Sequence, residues 1–131
     1  MKVLRNIDIE NEVRLALSDY FMTYVRPLPE KFLVPSVTIR AAGGQSEDTI
    51  DSFTVVLDAR AKEDADSYEL LRTALAVLEK QAQSQFGALR NVKVNSLGSW
   101  GNDPVRPDLA LSSATVQVTA HREEIEIEIE S

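Results

Sequence analysis

The side chains that could do acid–base chemistry in this sequence are one histidine and a scatter of aspartates. His121 follows a predicted strand, and a catalytic base or metal ligand at that position would need fixed partners that the neighbouring residues do not supply. Asp58, Asp103 and Asp108 could act as general acid and base, but their spacing pairs none of them. Cysteine is absent, which excludes thiolate chemistry. We therefore predict no catalytic, cofactor or metal site, and no enzyme.

A second group of residues has the composition of a recognition surface. The stretch from Gly98 to Asp108 contains two glycines, two prolines and the single tryptophan, Trp100. Tryptophan and arginine are enriched where protein surfaces meet, so Trp100, Arg106 and Asp108 are candidate interface residues. The alternative is that Trp100 folds back over the open end of a sheet while Arg106 and Asp108 brace the loop. The sequence favours neither interpretation.

Within the C-terminal segment 123–131, glutamate and isoleucine alternate strictly from Glu124 to Glu130. In an extended strand, Ile125, Ile127 and Ile129 would all lie on one side and the glutamates on the other. Such a strand would expose an apolar stripe unless it pairs with a sheet of the same chain or of a neighbour. We predict an added strand or arm here and include the three isoleucines among the candidate interface residues.

The elements that must position these residues follow from hydrophobic periodicity. Apolar residues recur at helical spacing in two segments and alternate in four others, and Gly43-Gly44 has the composition of a hairpin loop. The predicted elements are a helix over 9–24 capped by Asp8, strands over 34–41 and 49–60, a helix from 62–66 to near Gly87, and strands over 91–97 and 109–120, with bulges near Asp51-Ser52 and Ser112-Ser113.

This order, α-β-β-α-β-β plus a C-terminal strand, predicts an α+β fold. We expect an α/β sandwich in which a mostly antiparallel or mixed four-stranded sheet carries both helices on one face. Residues 1–122 should form one α/β domain and residues 123–131 an acidic extension. A chain of 131 residues with 44% hydrophobic residues is long enough to bury such a core.

The charge balance narrows the classes of partner. The 21 acidic and 14 basic residues give a net charge of −7, which disfavours broad binding of nucleic-acid phosphates. No apolar run is long enough to cross a bilayer, so no membrane partner is expected. An acidic surface is compatible with a channel through which DNA passes without adhering.

Several stretches together resemble a known family. VPSVTIRAAGG precedes a strand that runs into a helix of alanines and leucines over Val55–Leu78. A loop with Trp100, Pro104 and Arg106-Pro107 then leads into the strand TVQVTA over Thr115–Ala120. Over residues 8–122 this pattern is similar to the small tail-terminator (tail-completion) proteins of long-tailed bacteriophages and prophages. The glutamate–isoleucine tail is not part of that pattern.

The resemblance implies a structural virion protein. Tail terminators form hexameric rings that cap the tail tube, stop its polymerisation and provide the docking face for the head connector. The implied partners are therefore further copies of the chain, a tail tube protein and a head connector protein, with DNA passing the lumen without specific binding. The implied location is the head-proximal end of the virion tail, reached from the host cytoplasm. A head-completion or connector adaptor protein is the alternative, and a small ligand-binding domain or enzyme is disfavoured.

Overall fold

The computed structural model describes residues 1–47 and 49–128, apart from the side chains of Ser99 and Trp100. Over this part of the chain it has two helices and seven strands. They are β1 (Lys2–Arg5), α1 (Ile9–Leu17), β2 (Thr23–Tyr24), β3 (Ser36–Glu47), β4 (Ile50–Ala61), α2 (Asp64–Gln83), β5 (Leu89–Asn102), β6 (Ala110–His121) and β7 (Glu123–Glu126).

The described strands form two sheets, and the fold is α+β as predicted. The main sheet has five strands in the order β2-β3-β4-β6-β5, and β1 pairs with β7 in a separate two-stranded sheet. Neighbouring strands of the main sheet are antiparallel except for β2 and β3, which are parallel. The sheet is thus mixed, and it has one strand more than the four that periodicity predicted. The additional strand, β2, has only two residues, which is too short to show a periodic pattern in the sequence.

One face of the main sheet carries the core, and its alternation follows from strand geometry. Val55 pairs with Val116 and Leu57 with Ala114, so the buried residues of β4 and β6 point the same way. Both helices lie against this face and complete a single cluster. Its most buried members include Val13, Leu17, Ile39, Leu57, Leu71, Leu78, Val116 and Val118.

The first helix is shorter than predicted. Asp8 caps it by accepting a hydrogen bond from the Asn11 amide at 3.3 Å, as expected. The helix ends at Leu17, not Tyr24, and Tyr20, which the helical period places on the buried stripe, is 62% exposed. The residues that would continue the helix pair with β3 instead, as β2. The Val37 amide, for example, donates to the Met22 carbonyl at 2.9 Å.

The start of α2 agrees with the prediction, whereas its C-terminal end differs. The residue at the N-cap is Glu63, without a side-chain capping bond, and Asp64 is the first helical residue. At the other end, Gln85 adopts a left-handed φ of 56° before Gly87 does so at 52°. The helix begins within the predicted range 62–66 and ends at Gln83, short of Gly87, a difference that periodicity does not resolve.

Strand irregularities fall on different strands from those predicted. β4 and β6 pair in unbroken register, so the bulges predicted near Asp51-Ser52 and Ser112-Ser113 are absent from that pairing. The register shifts lie on β3, between Ala41 and Gly44, and on β5. Gly43-Gly44 is consequently part of a bulged strand and not the hairpin loop. β5 also runs through Gly98–Asn102, so most of the predicted loop before Asp103 is strand.

Candidate functional site

The most distinctive feature of the molecule is the two-stranded sheet of β1 and β7, which we call the terminal ribbon. Val3 pairs with Ile125 and Arg5 with Glu123, and the Ile127 amide donates to the Met1 carbonyl at 2.8 Å. The segment therefore finds a strand partner within its own chain, as the alternation required. Only one edge of β7 is used, because the described residues place no strand on its other side.

The terminal ribbon leaves apolar side chains in contact with solvent. Its two strands pack chiefly on each other and not on the helices or the main sheet. Leu4 is 48% exposed and Ile127 is 41% exposed, while Ile125 is half-buried. Ile129, the third isoleucine predicted to contribute, lies outside the described residues. Isolated two-stranded ribbons are marginally stable, so exposed apolar groups on one favour a further partner.

A buried carboxylate fixes the base of the terminal ribbon to the main sheet. Asp51, 1% exposed, lies in β4. Its Oδ2 accepts from Asn6 Nδ2 at 2.6 Å and its Oδ1 from Arg122 Nε at 3.1 Å. Asn6 follows β1 and Arg122 precedes β7, so the Asp51 side chain binds the chain next to both strands of the ribbon. Burial disfavours its ionisation, but hydrogen bonds from Asn6, Ser46 and Arg122 outweigh burial and lower the pKa of Asp51.

A second buried ion pair fixes the loop that follows β5. Arg60 Nε lies 2.6 Å from Asp103 Oδ2, and Arg60 Nη1 donates to Thr38 Oγ1 at 2.8 Å. Asp103 is 2% exposed and also accepts from the Val105 amide at 2.9 Å. Burial opposes ionisation of Asp103, but the Val105 amide and the Arg60 guanidinium outweigh it and lower its pKa. This pair anchors the loop over the sheet face opposite the helices.

Two of the predicted interface residues lie in this loop and contact each other. Arg106 Nη2 donates to Asp108 Oδ2 at 3.0 Å, and this hydrogen bond lowers the pKa of Asp108. The centroid of the Phe32 ring lies 5.6 Å from the guanidinium carbon of Arg60 and 5.6 Å from that of Arg106. The Arg106–Asp108 contact is compatible with both interpretations of these residues, as part of an interface and as a brace of the loop. The backbone of Trp100 is in β5, and its side chain lies outside the described residues.

The face of the main sheet opposite the helices carries hydrogen-bonded polar side chains. Asp58 accepts from Arg40 Nε at 3.1 Å and from Ser113 Oγ, and Gln117 joins Thr54 to Ser52. Arg40 keeps 49% of its side-chain surface exposed. A hydrogen-bonded polar surface of this kind suits a face that meets water or other macromolecules.

The three candidate acid–base aspartates each pair with an arginine: Asp58 with Arg40, Asp103 with Arg60 and Asp108 with Arg106. Asp58 and Asp103 belong to the separate ion pairs described above, and the His121 amide donates to the Ala88 carbonyl within the sheet end. Among the described residues no three His, Asp or Glu side chains lie close enough to hold a metal ion.

No helix in the described part of the chain is long and apolar enough to cross a membrane.

Sequence reasoning missed the two residues that organise these surfaces, Asp51 and Arg60. The apolar–polar alternation of the predicted strand 49–60 placed Asp51 at an expected bulge and Arg60 on the solvent-facing side of the strand. An aspartate on the apolar side of a strand was the available signal for Asp51.

The chain matches no protein-family model and no curated protein sequence.

Proposed function

We propose that this protein is a structural assembly subunit that associates with copies of itself into a ring and caps the tail tube of a long-tailed bacteriophage or prophage. The ring, a hexamer by resemblance to tail terminators, stops tube polymerisation and offers a docking face to the head connector. The activity is steric, with no chemical step. It is exerted at the head-proximal end of the virion tail after assembly in the host cytoplasm.

The observation that carries the proposal is the terminal ribbon. It stands apart from the core and exposes Leu4 and Ile127, and no other strand among the described residues pairs with β7. A compact sandwich has no folding need for such an arm, whereas a subunit of a heterologous ring must present one surface to the next copy. Asp51 holds this arm in a defined direction, which a repeating contact requires.

Charge and fold support the same proposal. The α+β sandwich with both helices on one face agrees with the fold that the resemblance implies. The net charge of −7 suits a ring lumen through which DNA passes, because like charge keeps phosphates from adhering. The polar sheet face and the loop braced by Arg60 are further surfaces for the tube and connector proteins.

Two measurements test the proposed function. Light scattering across a range of concentrations should detect a ring-sized oligomer, either alone or after addition of the tail tube protein of the same phage. Added to polymerising tube protein, the chain should shorten the tubes and appear at one tube end by electron microscopy. A chain that stays monomeric with and without tube protein, and leaves tube length unchanged, would overturn the proposal. Binding to the head connector without any effect on tubes would favour the adaptor alternative.

A further inference from the structure

The strand β5 is the long open edge of the main sheet. At the opposite edge, the short strand β2 pairs with the start of β3, and Glu10 Oε2 accepts from the Ala41 amide of β3 at 2.9 Å. No described strand pairs with the outer side of β5. An edge of this length with free backbone donors and acceptors is a template for another strand.

The irregularities of β5 leave two regular four-residue segments at this edge, 91–94 and 99–102. Register shifts lie between Leu89 and Asn91, between Val94 and Ser96, and further along the strand. Residues 91–94 pair with β6 without interruption. A strand of four residues can add to this segment, and β7 has that length.

The side chains of the two segments are complementary. Val92 and Val94 are half-buried at the margin of the core, whereas Lys93 is exposed on the opposite side. In β7 and its continuation, Ile125 and Ile127 share one side with Glu123, and Glu124, Glu126 and Glu128 share the other. An added β7 would extend the apolar face with isoleucine and bring carboxylates to Lys93. A single register therefore places isoleucines beside Val92 and Val94 on one face and carboxylates beside Lys93 on the other.

We propose that the free edge of β7 in one copy adds to residues 91–94 of β5 in a second copy. The terminal ribbon then extends the neighbour's five-stranded sheet, and backbone hydrogen bonds supply affinity while the Ile/Glu alternation sets the register. The contact joins two different surfaces, so it is heterologous and propagates from copy to copy until the ring closes. This inference rests on the proposed function only in requiring that copies associate.

Cysteine cross-linking tests this contact, because the chain has no cysteine of its own. Lys93→Cys and Glu126→Cys are made in separate copies, one carrying a mass tag, then mixed and oxidised. Adjacent antiparallel or parallel strands bring Cα atoms to within about 5.5 Å, which a disulfide can bridge. We expect a tagged–untagged dimer from this mixture. The matched control replaces Lys93→Cys by Thr73→Cys, on the exposed side of α2, and should give no such dimer.

A charge exchange gives a second, independent readout. Lys93→Glu should weaken self-association by roughly five- to tenfold, since it replaces an attraction to the glutamates of β7 with a repulsion. Glu126→Lys in the same chain should restore most of that loss. If oligomers form but give no cross-link, and if neither substitution changes their stability, the proposed contact is wrong while the proposal of a ring still holds. Absence of any oligomer, with or without tube protein, would overturn both proposals.

Discussion

Replacing Asp51 by asparagine should loosen the terminal ribbon from the body of the protein. Both carboxylate oxygens accept hydrogen bonds, from Asn6 at 2.6 Å and from Arg122 at 3.1 Å. An asparagine has the same size but only one acceptor oxygen, so its amide nitrogen must face one of these two donors. The Arg122 guanidinium also loses its counter-charge.

The size of the effect follows from the burial of the carboxylate. A hydrogen bond to a charged group contributes about 1.5–3 kcal/mol to stability, and Asp51 has 2% of its side-chain surface exposed. Arg122 is 24% exposed and can regain water, which places the loss at the lower end, about 2 kcal/mol. If this free energy holds the ribbon in place, exchange of the ribbon amides should accelerate about 30-fold, because 1.4 kcal/mol is a factor of ten.

The matched control is Asp58→Asn. Asp58 is also a buried aspartate of β4 that accepts from an arginine, Arg40, and from a second side chain, Ser113, but on the sheet face away from the ribbon. Urea unfolding should show both variants destabilised, while hydrogen exchange over Lys2–Arg5 and 123–126 should respond only to Asp51→Asn. Equal ribbon exchange in the two variants, or a loss below about 0.5 kcal/mol for Asp51→Asn, would refute the reasoning.

Three further outcomes are expected. Arg60→Met should lower the free energy of unfolding by about 3 kcal/mol in urea titrations, because Asp103 is left as a buried carboxylate without its cation, and Asp103→Asn added to it should recover part of the loss. The pKa values of Asp51 and Asp103 are lowered in the folded state. Their stabilisation is therefore complete above the ordinary value of 3.8 and is lost as pH falls through the folded values; acid unfolding of Asp51→Asn should depend less on pH in that range. Ser67→Ala should cost about 1–2 kcal/mol in urea titrations, since it removes the partner of the buried Ser112 hydroxyl at 2.8 Å, and Ser112→Ala in the same chain should cost no more.

The positions of the long elements could be predicted from the sequence because their periods are strong. Alternation in β4 and β6 and the apolar stripe of α2 each extend over several turns or pleats, so burial of one face requires the observed element. Asp8 was also identifiable, since capping depends on atoms only three residues apart. The same local logic predicted that 123–131 needs a strand partner.

Tertiary structure alone decided which strand that partner is and what fixes it. β1 lies 118 or more residues away in the chain from its partners in β7, and four residues carry no signal of that pairing. The end of α1 at Leu17 depended on competition from β3, which a local pattern does not contain. Asp51 and Arg60 acquired their roles from Arg122 and Asp103, residues brought near only by the fold. The sequence by itself determined that an acidic strand with one apolar side exists. The fold decided that this strand pairs with β1 and that no other described strand pairs with it.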